Sequence, residues 1–141
     1  MPAVLVVEDH AMVREALAKL LAGSGRFRVA GCAGTVEEAL VLVRRSPPDV
    51  VMADLSLGNG NALDLLRALA RAGRRIPTLV MAEFPGDFSA EEALGAGAAG
   101  HIFKERPTGE ILRALEEVAA GRRYLGTAVS GRRAGARRGA A

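Results

Sequence analysis

The chain has 141 residues, half of them hydrophobic, with 19 basic and 16 acidic side chains, a formal charge of +3 and a single cysteine. That size suits one domain with a proper core, and the lone Cys32 excludes an internal disulfide or a zinc cluster. No apolar run approaches the roughly 20 residues that cross a bilayer, and the first residues lack the basic start and apolar run of a signal peptide, so a cytoplasmic protein without a membrane partner is expected. The charge is unevenly spread. Six arginines (Arg122, Arg123, Arg132, Arg133, Arg137 and Arg138) lie in residues 122–141 with no acid among them, and without them 13 basic residues face 16 acids, a net −3 over residues 1–121. The sequence predicts a domain over 1–121 followed by a basic Gly/Ala/Arg tail over 122–141, which cannot bury enough surface to order beyond about Val129.

Ala3 to Val7 reads as a first buried strand, ending in Glu8, Asp9 and His10. A helix follows with Val13, Leu17, Leu20 and Leu21 at the spacing of one face, closed by Gly23-Ser24-Gly25. The second strand is Phe27 to Cys32. Thr35-Val36-Glu37-Glu38 is a capping-box pattern opening a helix whose Val36, Leu40 and Val43 share a face and which Pro47 terminates. Val50 to Ala53 has the length of a fully buried third strand, and Asp54 sits where it ends. Gly58-Asn59-Gly60 is a turn, Asn61 caps a third helix with Leu65, Leu66 and Leu69 inward, and Gly73 ends it. Strand four is Pro77 to Ala82, Pro85-Gly86 marks a turn, and a short helix spans Ser89 to Leu94. Strand five is Ala99 to Phe103, with Lys104 at its end. Pro107 opens a last helix with Ile111, Leu112, Leu115, Val118 and Ala119 as its inward stripe.

Five strands alternating with five helices predict an α/β fold, a doubly wound parallel sheet in the flavodoxin-like order 2-1-3-4-5. The string Gly95-Ala96-Gly97-Ala98-Ala99-Gly100 matches the dinucleotide fingerprint by letter. It follows a helix and opens a strand, whereas the fingerprint follows a strand and opens a helix, so tight packing is the better account of its glycines.

In that strand order Glu8, Asp9, Asp54 and Lys104 come together beyond the carboxyl ends of strands one, three and five. Alone, Asp54 would read more simply as a charge terminating a strand. Three carboxylates in one crevice repel, so either their pKa values rise or a cation joins them. A hard ion such as Mg²⁺ takes carboxylates, waters and a phosphate oxygen, and Lys104 brings a compact charge for another phosphate oxygen.

With these residues assembled, the sequence resembles the receiver domain of bacterial two-component response regulators, in the NarL/LuxR branch. The resemblance spans about residues 3–125 and rests on Val7-Glu8-Asp9-His10, Val50 to Leu57, Gly95 to Glu105 and Ala120 to Leu125. It implies that Asp54 accepts a phosphoryl group from a histidine kinase, that Glu8, Asp9, Asp54 and the backbone carbonyl of Ser56 hold Mg²⁺, and that Lys104 binds the phosphoryl oxygens. The chain would be a timed switch rather than a turnover enzyme, regulating transcription through an attached or partner output domain. Arg122-Arg123-Tyr124-Leu125 would begin the linker to an output domain not present in this chain, through which alone DNA would be bound, and a homodimer is compatible with the family.

Departures from the family pattern concern the switch. The position of the strand-four hydroxyl is Ala82, and Leu79 to Phe88 contain no Ser or Thr. The strand-five aromatic is replaced by His101, which could be a buried neutral imidazole, a surface residue or a pH-sensitive substitute. The usual proline after the phosphorylated strand is Gly58. Two functions therefore stand side by side: a phosphoacceptor signalling domain, and a receiver-shaped interaction or dimerisation module that works without phosphate.

Overall fold

The computed structural model describes residues 1–58, 60–83 and 90–125. Along the chain the elements are β1 (Ala3–Val7), α1 (Ala11–Gly23), β2 (Arg28–Ala33), α2 (Val36–Arg45), β3 (Val50–Asp54), β4 (Ser56–Leu57), β5 (Gly60–Asn61), α3 (Ala62–Arg71), β6 (Thr78–Ala82), α4 (Ala90–Gly95), β7 (Gly100–Phe103) and α5 (Thr108–Ala119). Five strands pair in parallel in the order β2-β1-β3-β6-β7, and β4 and β5 form a separate two-residue antiparallel pair. With that pair counted apart, the order is the 2-1-3-4-5 expected from the sequence. The turn at Asn59, the Pro85-Gly86 turn, Ser89 and the tail beyond Leu125 lie outside the described residues.

The apolar runs form strands because both faces of the sheet are covered. Every residue of β1, β3, β6 and β7 is buried. Alternation along each strand divides them between two cores. Leu5, Val7, Val51, Ala53 and Val80 pack with α2 and α3, while Val4, Val6, Met52, Met81 and Ile102 pack with Leu21 of α1 and with α5. No helix among the described residues is long and apolar enough to cross a membrane.

Several local expectations need adjustment. Strand two starts one residue late because Phe27 turns into the core ahead of the ladder and is 2% exposed. Val13 is 37% exposed, and it borders the cleft at the carboxyl ends of the strands instead of packing beneath α1. The Thr35 hydroxyl caps Glu38 N at 3.1 Å, but Glu38 Oε1 accepts from Gly34 N rather than from Thr35, so the reciprocal half of the predicted capping box goes to the preceding residue. Asn61 and Asp64 do form a complete box at the start of α3.

The glycine string is explained by conformation and packing. Gly97 has φ +107°, and a Cβ on Gly100 would meet Tyr124 O at 2.8 Å and Val118 Cγ2 at 2.9 Å. The approach of Tyr124 has a cause. Tyr124 N donates to Ala99 O and His101 N donates to Tyr124 O, so the chain beyond α5 is bridged in parallel to the outer edge of β7. Its hydroxyl donates to Glu110 Oε2 at 2.8 Å, tying that segment to α5.

Candidate functional site

The sheet's hydrogen bonds continue one residue past three strands. Glu8 N donates to Ala33 O, Leu55 N to Met81 O and Lys104 N to Ala82 O, all at 2.8–2.9 Å. Val6, Met52 and Ile102 face the α1/α5 core, and two residues on stand Glu8, Asp54 and Lys104. Period-two alternation therefore sends all three side chains toward the same side at the carboxyl end of the sheet.

There they meet. Lys104 Nζ lies 2.8 Å from Glu8 Oε1 and 3.1 Å from Asp54 Oδ2. Glu8 is wholly buried and Asp54 is 4% exposed. Burial and then the Glu8 charge push the Asp54 carboxyl up to about 6, with Lys104 opposing and Asp9 adding. For Lys104, burial pulls downward and is outweighed by its bonds to Glu8 and Asp54, so its ammonium titrates above the ordinary lysine range. One cation thus pairs with two carboxylates, and with Asp9 nearby the cluster keeps excess negative charge.

Asp9 occupies the other side of the crevice, where Gly58 N donates to its Oδ2 at 3.0 Å. Its Oδ1 is buried and accepts no hydrogen bond, although His10 Nδ1 lies 3.2 Å away. His10 Nδ1 is also 3.2 Å from Glu8 Oε2, which accepts a hydrogen bond from His10 N. Among the described residues Glu8, Asp9 and His10 form a group able to place three ligand atoms around one ion. His10 carries no signal in the sequence, since one histidine beside two acids has no diagnostic spacing. Ser56 lies two residues past Asp54 in β4, exposed beside the buried Leu57.

Ala82 is buried at the end of β6, paired with Phe103, and its carbonyl receives Lys104 N. The position expected to carry the strand-four hydroxyl therefore holds a buried methyl, and its backbone adjoins Lys104. His101 is buried too, which removes the surface reading, and burial pulls its imidazole below the ordinary histidine range. Its ring packs edge-on against Phe103 with centroids 5.1 Å apart.

Two clefts bear on where chemistry can occur. One of about 470 Å³ is lined by His10, Val13, Glu83, Lys104 and Glu105, and of the four expected site residues it touches Lys104. A larger one of about 520 Å³, bordered by Arg74, Arg75, Ile76, Pro77, Ala98 and Arg122, lies at the opposite end of the sheet and contains none of the four expected site residues. The titratable cluster, not cavity size, marks the candidate site.

Comparison with known proteins agrees with this fold. A family model described as the response regulator receiver domain matches residues 4–116. The chain is 35% identical over 122 residues to the DNA-binding transcriptional activator DevR/DosR of Mycobacterium tuberculosis, covering 86% of this chain and 56% of that protein. It is 34% identical over 122 residues to the response regulator GacA of Pseudomonas aeruginosa, covering 86% and 57%. The chain therefore spans a little over half the length of these curated relatives. The crystal structure of a LuxR-family two-component response regulator from Aurantimonas sp. SI85-9A1 superposes with a TM-score of 0.87 at 27% identity, covering 93% of this chain and 94% of that one. The chain belongs to the receiver domain family of two-component response regulators, and its neighbours are of the LuxR/NarL type.

Proposed function

We propose that Asp54 is the phosphoacceptor of a two-component system, receiving its phosphoryl group from a histidine kinase or a small phosphodonor. The observation that carries this reading is the Lys104 ammonium, 3.1 Å from a buried Asp54 carboxylate at the carboxyl end of the central strand. Phosphoryl transfer needs alignment and charge neutralisation more than covalent machinery, and a fixed cation beside the nucleophile supplies part of both. An Asp54 oxygen attacks phosphorus in line. The bond from phosphorus to the donor's imidazole nitrogen breaks with its electron pair leaving on that nitrogen, and an acyl phosphate is left on Asp54.

The residues fit a hard divalent cation. Glu8, Asp9 and Asp54 offer only oxygen donors, the cluster carries excess negative charge, and Asp9 Oδ1 is an enclosed oxygen that accepts no hydrogen bond. In this reading Glu8, Asp9, Asp54 and the Ser56 carbonyl hold Mg²⁺, which when bound supplies neutralisation of the phosphoryl charge. Lys104 exchanges part of its contact with Glu8 and Asp54 for a phosphoryl oxygen, using the three donors of its ammonium. Later hydrolysis resets the protein, so the domain is a signalling switch and not an enzyme that turns over a metabolite.

Output is transcriptional in this reading, through an attached or partner domain that alone binds DNA, as the DNA-binding relative suggests. The phosphate-independent alternative is favoured by one specific observation, the buried methyl of Ala82 where a hydroxyl would report phosphorylation. Incubation with acetyl phosphate and Mg²⁺ tests the reading. Intact-mass analysis should show one phosphoryl adduct, absent without the ion and absent in Asp54→Asn. An adduct that survives that substitution would sink the assignment.

A further inference from the structure

His10 takes the N-cap position of α1, with φ −83° and ψ 114°. Side chains favoured there accept a hydrogen bond from the first helical turn. The His10 side chain makes no such bond, and the first turn of α1 has no acidic residue. The ring is 70% exposed and lies over the acids instead, with Nδ1 standing 3.2 Å from both Glu8 Oε2 and Asp9 Oδ1. The second of these is the enclosed oxygen that accepts no hydrogen bond.

Two atoms each about 2.1 Å from one ion stand roughly 3.0–3.4 Å apart, depending on whether the angle between them is octahedral or tetrahedral. The 3.2 Å separations fall inside that interval. Mg²⁺ gains little from an imidazole, whereas borderline ions such as Co²⁺ and Zn²⁺ bind it strongly. The geometry points to His10 Nδ1, Glu8 Oε2 and Asp9 Oδ1 as a three-ligand set for a borderline transition ion, competing with Mg²⁺ for the same acids. Nδ1 gives its lone pair to the ion and the proton sits on Nε2. The inference rests on the proposal that Glu8 and Asp9 form the cation site. An ordinary hydrogen bond from Nδ1–H to Glu8 makes a different forecast, because loss of the ring would then loosen the acids toward both ions alike.

The test uses the full chain in a Cys32→Ser background, since that exposed thiol could take Zn²⁺ by itself. Zn²⁺ and Mg²⁺ affinities are measured by calorimetry with and without His10→Ala, and the His10 ring nitrogens are followed by ¹⁵N spectra; the other histidine, His101, is buried in β7. We expect His10→Ala to weaken Zn²⁺ by about tenfold or more and Mg²⁺ by less than about threefold, with Nδ1 moving on addition of Zn²⁺ and not of Mg²⁺. Equal weakening of both ions, or an Nδ1 resonance unmoved by Zn²⁺, overturns the His10 set. Zn²⁺ bound through Nδ1 without Mg²⁺ binding upholds the set and removes the Mg²⁺ reading. Mg²⁺ binding without any His10-dependent Zn²⁺ binding does the reverse, and binding of neither ion overturns both.

Discussion

Lys104 and Glu8 form a 2.8 Å ion pair that joins the ends of β7 and β1 across the two strands between them. Glu8 is wholly buried, and Asp54 shares the same ammonium. Removing one partner of a buried pair strands the other. Lys104→Ala should destabilise the metal-free protein by roughly 3 kcal/mol, lowering its melting temperature by about 10 °C. The double variant Glu8→Gln, Lys104→Ala should recover most of that loss in calorimetry. Equal losses in the single and double variants would show that packing of the lysine stem, not a stranded charge, is what matters.

Asp54 titrates at about 6 in the fold against an ordinary 3.8. A raised carboxyl pKa means that the native state holds its proton more tightly than the unfolded chain. Stability contributed by the protonated form is therefore lost as pH rises from about 3.8 through about 6, and the cost is complete above that window. It amounts to about 3 kcal/mol at most. Asp54→Asn should accordingly stabilise the metal-free protein at pH 7.5, with the gap from wild type shrinking toward pH 5. Urea midpoints at the two pH values measure this. A gap that widens on acidification contradicts the assignment of the shift to Asp54.

Ala82 cannot donate a hydrogen bond to a phosphorylated Asp54, and a ligand moves an equilibrium only through contacts that differ between its two states. Beryllofluoride should therefore produce small chemical-shift changes in α5 and β7 of the wild type and larger ones in Ala82→Thr. If the wild type responds as fully as the variant, the hydroxyl is dispensable, and coupling runs through other contacts. The Tyr124 carbonyl on His101 N is one such route.

The sheet was legible because its central strands are buried on both faces and so read as unbroken apolar runs, and because Asp54 and Lys104 interrupt that pattern at strand ends. What escaped the sequence depends on contacts distant along the chain or on too few residues to show a period. The two-residue strands Ser56–Leu57 and Gly60–Asn61 carry no alternation. Tyr124 meets β7 through backbone groups, which every residue possesses, and only Gly100 hinted at the close approach. His10 gains meaning from a turn that folds its ring back over the acids, which letter order does not encode. Val13 had the right spacing for a core position, but spacing says nothing about whether the sheet extends beneath the first turn of α1.

The identity of the nucleophile can be read chemically. Borohydride reduces an acyl phosphate to an alcohol, converting a phosphorylated aspartate into homoserine, so peptide mapping after treatment with acetyl phosphate, Mg²⁺ and borohydride reads the modified residue directly. With Asp54 as the nucleophile, homoserine should appear at position 54 and nowhere else. Homoserine at Asp9 or any other acid, or a stable phosphoryl adduct that leaves Asp54 unreduced, would contradict that role.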